Sequence, residues 1–430
     1  MKKCGVIVLA VLVTAPAFAL DLGNGFSFGG GVKTGIEIKS SDFTGRLEAV
    51  DPDDEYPFTL FFASKDNDTY NGEGWLDFNY ASTFWGLHLG AWAHGSVDNF
   101  DDTIHLGDHY LWANFFKDKL QFKGGQGGGA PISTGGWLNV DWLSYTGLRL
   151  FGVDVYGISL GLNFPDPGKD GIKPDAYFSN IMIGAKYKLG SFAGPLEGLW
   201  AVFMYDNNPI YDDSEKNTII GGGLHYVNST PIAGSGNIAF GAGIDSLVNG
   251  RLILVFDGMV NNLGEDYKVT GGPGSYQFSP VEATFAFKGG FKILEMQDHN
   301  VYAEVRAKYI TRNGDNKDDT GSTAWGQFQI EPYVKYRLFN QFNVEFSLNL
   351  TTYINSAYLA RDILAGGRAL SAGWVSDYEA ARDYFSYYQL SIDPAISTSF
   401  GGATVIAGYN GVFSRDHARH NLYVDFRWAF

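Results

Sequence analysis

The stretch His420-Asn421-Leu422-Tyr423-Val424-Asp425-Phe426-Arg427-Trp428-Ala429-Phe430 decides how the rest of the chain is read. Successive side chains of an extended strand point to opposite faces. Leu422, Val424, Phe426, Trp428 and Phe430 therefore form one apolar row, and Tyr423, Asp425 and Arg427 a mostly polar row behind it. The sequence stops there, on an aromatic. Termini ordinarily fray into water, so a last strand this apolar on one face predicts an end tied into a sheet.

The same period of two runs back along the chain. Phe342, Val344, Phe346, Leu348 and Leu350 oppose Asn343, Glu345, Ser347, Asn349 and Thr351. Phe328, Ile330, Pro332, Val334 and Tyr336 oppose Gln327, Gln329, Glu331, Lys335 and Arg337. Val301, Ala303, Val305, Ala307 and Tyr309 oppose Glu304, Arg306 and Lys308. Leu76, Phe78 and Tyr80 oppose Asp77 and Asn79, and Trp85, Leu87, Leu89 and Ala91 oppose His88 and Trp92. One face is apolar throughout while the other carries charges of both signs.

The closing stretch resembles the last strand of bacterial outer-membrane β-barrels, in which alternating apolar residues and a terminal Phe act as the assembly signal. The resemblance is to the porin type of architecture and covers the whole mature chain. It implies that Phe426, Trp428 and Phe430 are read by the barrel assembly machinery, and that outer-membrane lipid surrounds the apolar face. The rival is the edge strand of a secreted β-sandwich, and the links between strands separate the two. Short links (Ala81 to Thr83, Lys117-Asp118, Gly152, Gln297 to Asn300, Phe339 to Gln341, Gly401-Gly402) largely alternate with long ones. The long ones are Ser40 to Thr69, Asp98 to Asp108, Gly124 to Asp141, Pro165 to Ala176, Asn207 to Lys216, Asn313 to Ser322 and Asn355 to Asp383. Barrel hairpins have that alternation; a sandwich has no reason for it.

The N-terminus predicts export. Lys2 and Lys3 form a basic n-region, Cys4 to Val13 an apolar h-region, and Ala17-Phe18-Ala19 a small-x-small cleavage site. Residues 1–19 are thus expected to be a cleaved signal peptide and 20–430 a single domain. Removing Lys2 and Lys3 takes the formal charge from −16 to −18, and removing the single Cys leaves no thiol. Such acidity disfavours nucleic acid as a partner. The composition has 16% aromatic and 18% charged residues with 56 Gly, at a mean hydropathy of −0.11. It suits a chain whose two faces of opposite polarity cancel.

Nineteen candidate strands can be marked, an odd number, and the bookkeeping fails between Asn207 and Ser275. There a strand at 217–227 receives opposite directions when approached from the two ends; a missed strand near Phe58 to Ala63 is the other repair. The expectation is an all-β, up-and-down antiparallel transmembrane barrel of about 18 strands, with a range of about 16 to 20. Only Leu20 to Gly25 precede the first strand, too few for a plug domain.

Enzymatic constellations fare poorly. His94, His105 and His109 lie near Asp98, Asp101, Asp102 and Asp108 but match no ligand spacing, and read as a solvated acidic loop. His417 and Ser414 carry no hydrolase signature. Gly124 to Gly129 lacks the Lys-Ser/Thr of a phosphate loop and reads as a flexible link. Asp66 and Asp68 are weak Ca²⁺ candidates, because Tyr70 stands at a ligand position. No enzyme activity, cofactor or firm metal site is expected.

The pore lining is expected from the polar faces: Arg306, Lys308, Glu331, Lys335, Arg337, Asp425 and Arg427. By resemblance to porins whose long loop narrows the lumen, Asn355 to Asp383 is the constriction candidate, through Arg361, Arg368, Asp377, Glu379 and Arg382. Barrels of 16 to 18 strands leave an aqueous channel. The expected function is therefore passive diffusion of small hydrophilic solutes, with loop acidity tilting towards cations. A channel for fatty acids or aromatics and a surface adhesin are the alternatives. A homotrimer fits the resemblance.

Overall fold

The structure, a computed structural model, describes residues 20–41, 59–61, 72–95, 105–128, 132–165, 181–207, 216–220, 225–231, 236–263, 267–269, 276–278, 282–312, 325–354, 369–374, 388–413 and 418–429, apart from 24, 118, 142, 144–146, 156, 340 and 371–372 within them. Eighteen wall strands follow one another. The first six are β1 (Phe26–Ser41), β2 (Gly72–Ala81), β3 (Trp85–Gly95), β4 (His105–Phe115), β5 (Leu120–Gln126) and β6 (Gly147–Val155). The next six are β7 (Ile158–Pro165), β8 (Met182–Lys188), β9 (Trp200–Asn207), β10 (Gly236–Ser246), β11 (Leu252–Leu263) and β12 (Glu282–Glu295). The last six are β13 (His299–Arg312), β14 (Trp325–Leu338), β15 (Phe342–Ile354), β16 (Gln389–Phe400), β17 (Ala403–Phe413) and β18 (Ala418–Ala429). Each runs antiparallel to the next, and β18 pairs with β1 from Gly31↔Ala429 to Ser41↔Arg419, which closes the sheet.

Alternation does what the sequence requires of it. On β18, Leu422, Val424 and Phe426 are 52%, 47% and 38% exposed, whereas Asn421, Tyr423 and Asp425 between them are buried. The exposed row is continued on β1 by Ile36 and Ile38, in register with Val424 and Leu422. Phe328 and Val334 on β14, and Phe342, Val344 and Phe346 on β15, extend the same outward band. In water such a surface would be a large apolar liability; in a bilayer it is the contact with hydrocarbon, and a closed barrel leaves no unpaired edge there. No helix among the described residues is long and apolar enough to cross a membrane.

The links separate by end. Residues 82–84, 116–119, 156–157, 189–199, 247–251, 296–298, 339–341 and 401–402 close one end. Residues 42–71, 96–104, 127–146, 166–181, 208–235, 264–281, 313–324, 355–388 and 414–417 join strands at the other.

Three boundaries differ from the sequence reading. The expected strand at 217–227 is not a stave of the wall. Strands 216–220 and 225–231 instead form a separate four-stranded sheet with 267–269 and 276–278, all within two of the long links, and this brings the count to 18. The segment 59–61 is a strand, but it pairs with Glu37, Ile38 and Lys39 on the edge of β1 that β2 occupies lower down, so it adds no stave. The turn placed at Gly152 lies five residues later: Gly152 is paired within β6, and Gly157, at φ +81°, makes the turn that a residue with a side chain adopts at a cost.

Candidate pore constriction

The inner wall has two halves of different chemistry. Around β12 to β16 it is a ladder of charges. Arg306 donates from Nη1 to Glu331 Oε1 at 2.8 Å and from Nε to Glu304, and its guanidinium lies 5.1 Å over the Tyr333 ring. Glu304 also accepts from the Tyr302 hydroxyl, and Glu331 from Asn349 Nδ2 at 3.2 Å. Two rows lower, Lys335 pairs with Glu345 at 2.6 Å, and Glu345 accepts from the Tyr333 hydroxyl at 2.9 Å. These groups arise because every second residue of β13, β14 and β15 must face away from lipid. Lys335 and Glu345 keep side-chain exposures of 40% and 34%, so solvent reaches them from within the barrel.

Around β6 to β11 the inner face is apolar and glycine-rich, and it is covered by link 127–146. Ile132, Val140 and Leu143 of that link form one buried cluster with Phe151 of β6, Met182 of β8, Val202 and Met204 of β9 and Ala239 of β10. Ile132 and Leu143 are fully buried, each contributing about 1.5–3 kcal/mol by removal from water. The wall makes room with glycines. A Cβ on Gly184 would stand 2.7 Å from Leu143 Cδ1, and one on Gly161 2.8 Å from the same atom. One on Gly241 would meet the Thr134 carbonyl at 2.8 Å.

Asp257 of β11 pins the link. Its Oδ2 accepts from Thr134 Oγ1 at 3.1 Å, Leu138 N at 3.0 Å and Asn139 N at 3.1 Å. Thr134 Oγ1 in turn accepts from Val140 N at 2.8 Å, which closes the bend around the carboxylate. Beyond this anchor Trp137 reaches the charged half, where Lys308 Nζ lies 5.1 Å over its ring. At the root, Arg149 donates to the Gly125 carbonyl at 3.0 Å, and Lys123 to that of Gly128. The Gly128 amide donates to Asp108 at 3.4 Å.

The structure brings Arg306, Lys308 and Glu331 together on adjacent strands, with Lys335 and Arg337 further towards the turns on the same β14. Asp425 and Arg427 face inward from β18, four strands on; Asp425 is buried and Arg427 lies 5.2 Å over the Trp75 ring. Phe426 points outward. Arg361, Arg368, Asp377, Glu379, Arg382, Asp66, Asp68, Ser414, His417 and Phe430 lie outside the described residues. Gly124 and Gly125, expected in a flexible link, are paired in β5 with β4 and β6, because their carbonyls and amides complete the ladder. Of the histidines, His109 is inside β4 with Nδ1 2.9 Å from the Gly107 carbonyl. No group of three His, Cys, Asp or Glu among the described residues could hold a metal.

Link 127–146 was missed as the inward loop, although two signals were available. Ile132, Leu138, Val140 and Leu143 are too apolar for a solvated loop. Alternation also lapses at Trp200-Ala201-Val202-Phe203-Met204, where both faces are apolar.

Comparison with known structures finds similarity to several outer-membrane proteins. The outer membrane channel DcaP of Acinetobacter baumannii matches 97% of this chain and 100% of its own, at 10% identity and a TM-score of 0.48. OccD3 (OpdP) of Pseudomonas aeruginosa matches 97% and 93%, at 11% identity and a TM-score of 0.48. An anion-selective porin from Comamonas acidovorans matches 94% and 100%, at 9% identity and a TM-score of 0.44. No protein-family model and no curated protein matches the sequence.

Proposed function

We propose that this 18-strand porin-type barrel is a passive diffusion pore of the bacterial outer membrane for small hydrophilic solutes. One observation carries the reading. Loop 127–146 is packed onto one half of the inner wall, while inward charges on the other half, such as Lys335 and Glu345, keep a third or more of their surface exposed. Water therefore has a path past a fixed obstruction. Size exclusion comes from the gap between the loop and the β12 to β16 wall, and ion preference from the charges lining it. The chemistry is transport without bond making. The apolar cluster does not serve as a site for greasy substrates in this reading, since the loop's own Ile132 and Leu143 fill it.

Export by a signal peptide cleaved after Ala19, insertion of domain 20–430 through the barrel assembly machinery, and assembly as a homotrimer belong to the same proposal. Proteoliposome swelling tests it. Protein-loaded vesicles should swell in isotonic arabinose and progressively more slowly in larger neutral sugars. Swelling no faster than protein-free vesicles would overturn it.

A further inference from the structure

At the level of the Asp257 anchor and one row nearer the short turns, lysines face inward from β8, β12 and β13. Lys186 and Lys188 alternate with outward Tyr187 and Ile183 on β8, so they face the lumen; Lys288 and Lys292 alternate likewise with Phe287 and Phe291 on β12. The ladder sets them in neighbouring rows. Lys186 runs through Val202, Gly241, Asp257 and Ala286 to Lys308 on β13. One row lower, Lys188 runs through Trp200, Gly243 and Val255 to Lys288 and then Arg306.

Among the described residues, the carboxylates near these lysines have partners of their own. Asp257 is taken up by the loop, and Glu304 and Glu331 by Arg306. Asp206, near the long-link end of β9, accepts from Asn237 at 3.0 Å. Glu295, at the turn, is 3.6 Å from Lys292, and Asp245 lies at the turn end of β10. Among the described residues Lys186, Lys188, Lys288 and Lys308 make no ion pair. Two of them rest on aromatic faces instead, Lys186 4.8 Å over Trp200 and Lys308 5.1 Å over Trp137.

Lys288 stands directly across from Arg306, whose own charge is met by Glu304 and Glu331, and among the described residues it forms no ion pair itself. Uncompensated charge on a low-dielectric wall concentrates ions of the opposite sign. A solute passing between the loop and the β12 to β16 wall meets Lys288 and Lys308, which project inward from β12 and β13. The chain's formal charge of −16 points the other way, but the acidic runs Asp51 to Glu55, Asp212 to Glu215 and Asp315 to Asp319 belong to no wall strand and lie outside the described residues.

We infer that the inward lysines of β8, β12 and β13 attract anions, and that the pore favours small anionic solutes, carboxylates among them, over cations of similar size. The inference rests on the pore reading. It replaces the cation tilt suggested by composition.

The test is the reversal potential of the purified mature protein in a planar bilayer under a tenfold KCl gradient, repeated with potassium succinate. Chloride should be favoured over potassium by about threefold or more, and the preference should hold for succinate. Lys186→Gln with Lys288→Gln should bring the ratio to about one, while Lys117→Gln, in a turn, should leave it unchanged. A heat-dependent shift on gel electrophoresis confirms that each variant is folded, and Lys288→Gln alone serves if the double variant is not. Potassium preference in the wild type, or a ratio unmoved by the folded double variant, would overturn the inference while leaving the pore intact. Complete absence of current would overturn the pore reading and this inference with it.

Discussion

Asp257 is the residue on which the constriction turns. Its carboxylate accepts three hydrogen bonds from a loop held elsewhere by apolar contact, by Lys308 over Trp137 and, at its root, by Lys123 and Asp108. Hydrogen bonds to a charged group contribute about 1.5–3 kcal/mol each, so Asp257→Ala weakens the attachment without touching the outward face. The expected result is a rise in single-channel conductance of about 1.5-fold or more, with current noise from a loop no longer held. Gly184 offers an independent route to the same end. A valine there would collide with Leu143 and Ile132, which stand 2.7 Å and 3.4 Å from the position of its Cβ. Since Gly184 faces the lumen, Gly184→Val should leave barrel stability in detergent nearly unchanged while exposing loop 127–146 to protease. An unchanged digestion pattern would mean that the loop is not seated there.

At the scale of the element, β18 was legible because lipid on one side and water on the other impose a period of two. Its register against β1 then places Val424 in the outward row and Asp425 in the inward one. Val424→Arg should cost about 2–4 kcal/mol in urea-dependent folding into vesicles if it sits near the bilayer midplane. Asp425→Asn should cost much less, as it stays on the watered side; equal costs would contradict the assignment of faces. What could not be read has physical causes. A period of two reports a strand and its faces but not its partner, so 216–220 looked like a stave although it pairs with another link strand. Glycine signals a turn or a close approach equally well: Gly157 makes a turn, Gly184 admits Leu143, and Gly152 does neither. The inward loop escaped because its evidence is a lapse of pattern: apolar residues where solvent was expected, and glycines where the lumen should be charged.

For the whole molecule, eighteen strands in a closed ring enclose more space than side chains can fill. The loop occupies one half and the charged ladder borders what remains. Obstruction and channel thus follow from one sheet whose inner face is apolar on one arc and ionic on the other. Planar-bilayer recording tests this most directly. Wild-type protein should insert with discrete, stepwise increases in conductance, and a variant lacking residues 132–143 should give larger steps. Folded protein that inserts silently, or steps of the same size with and without the loop, would contradict a water-filled cylinder narrowed from within.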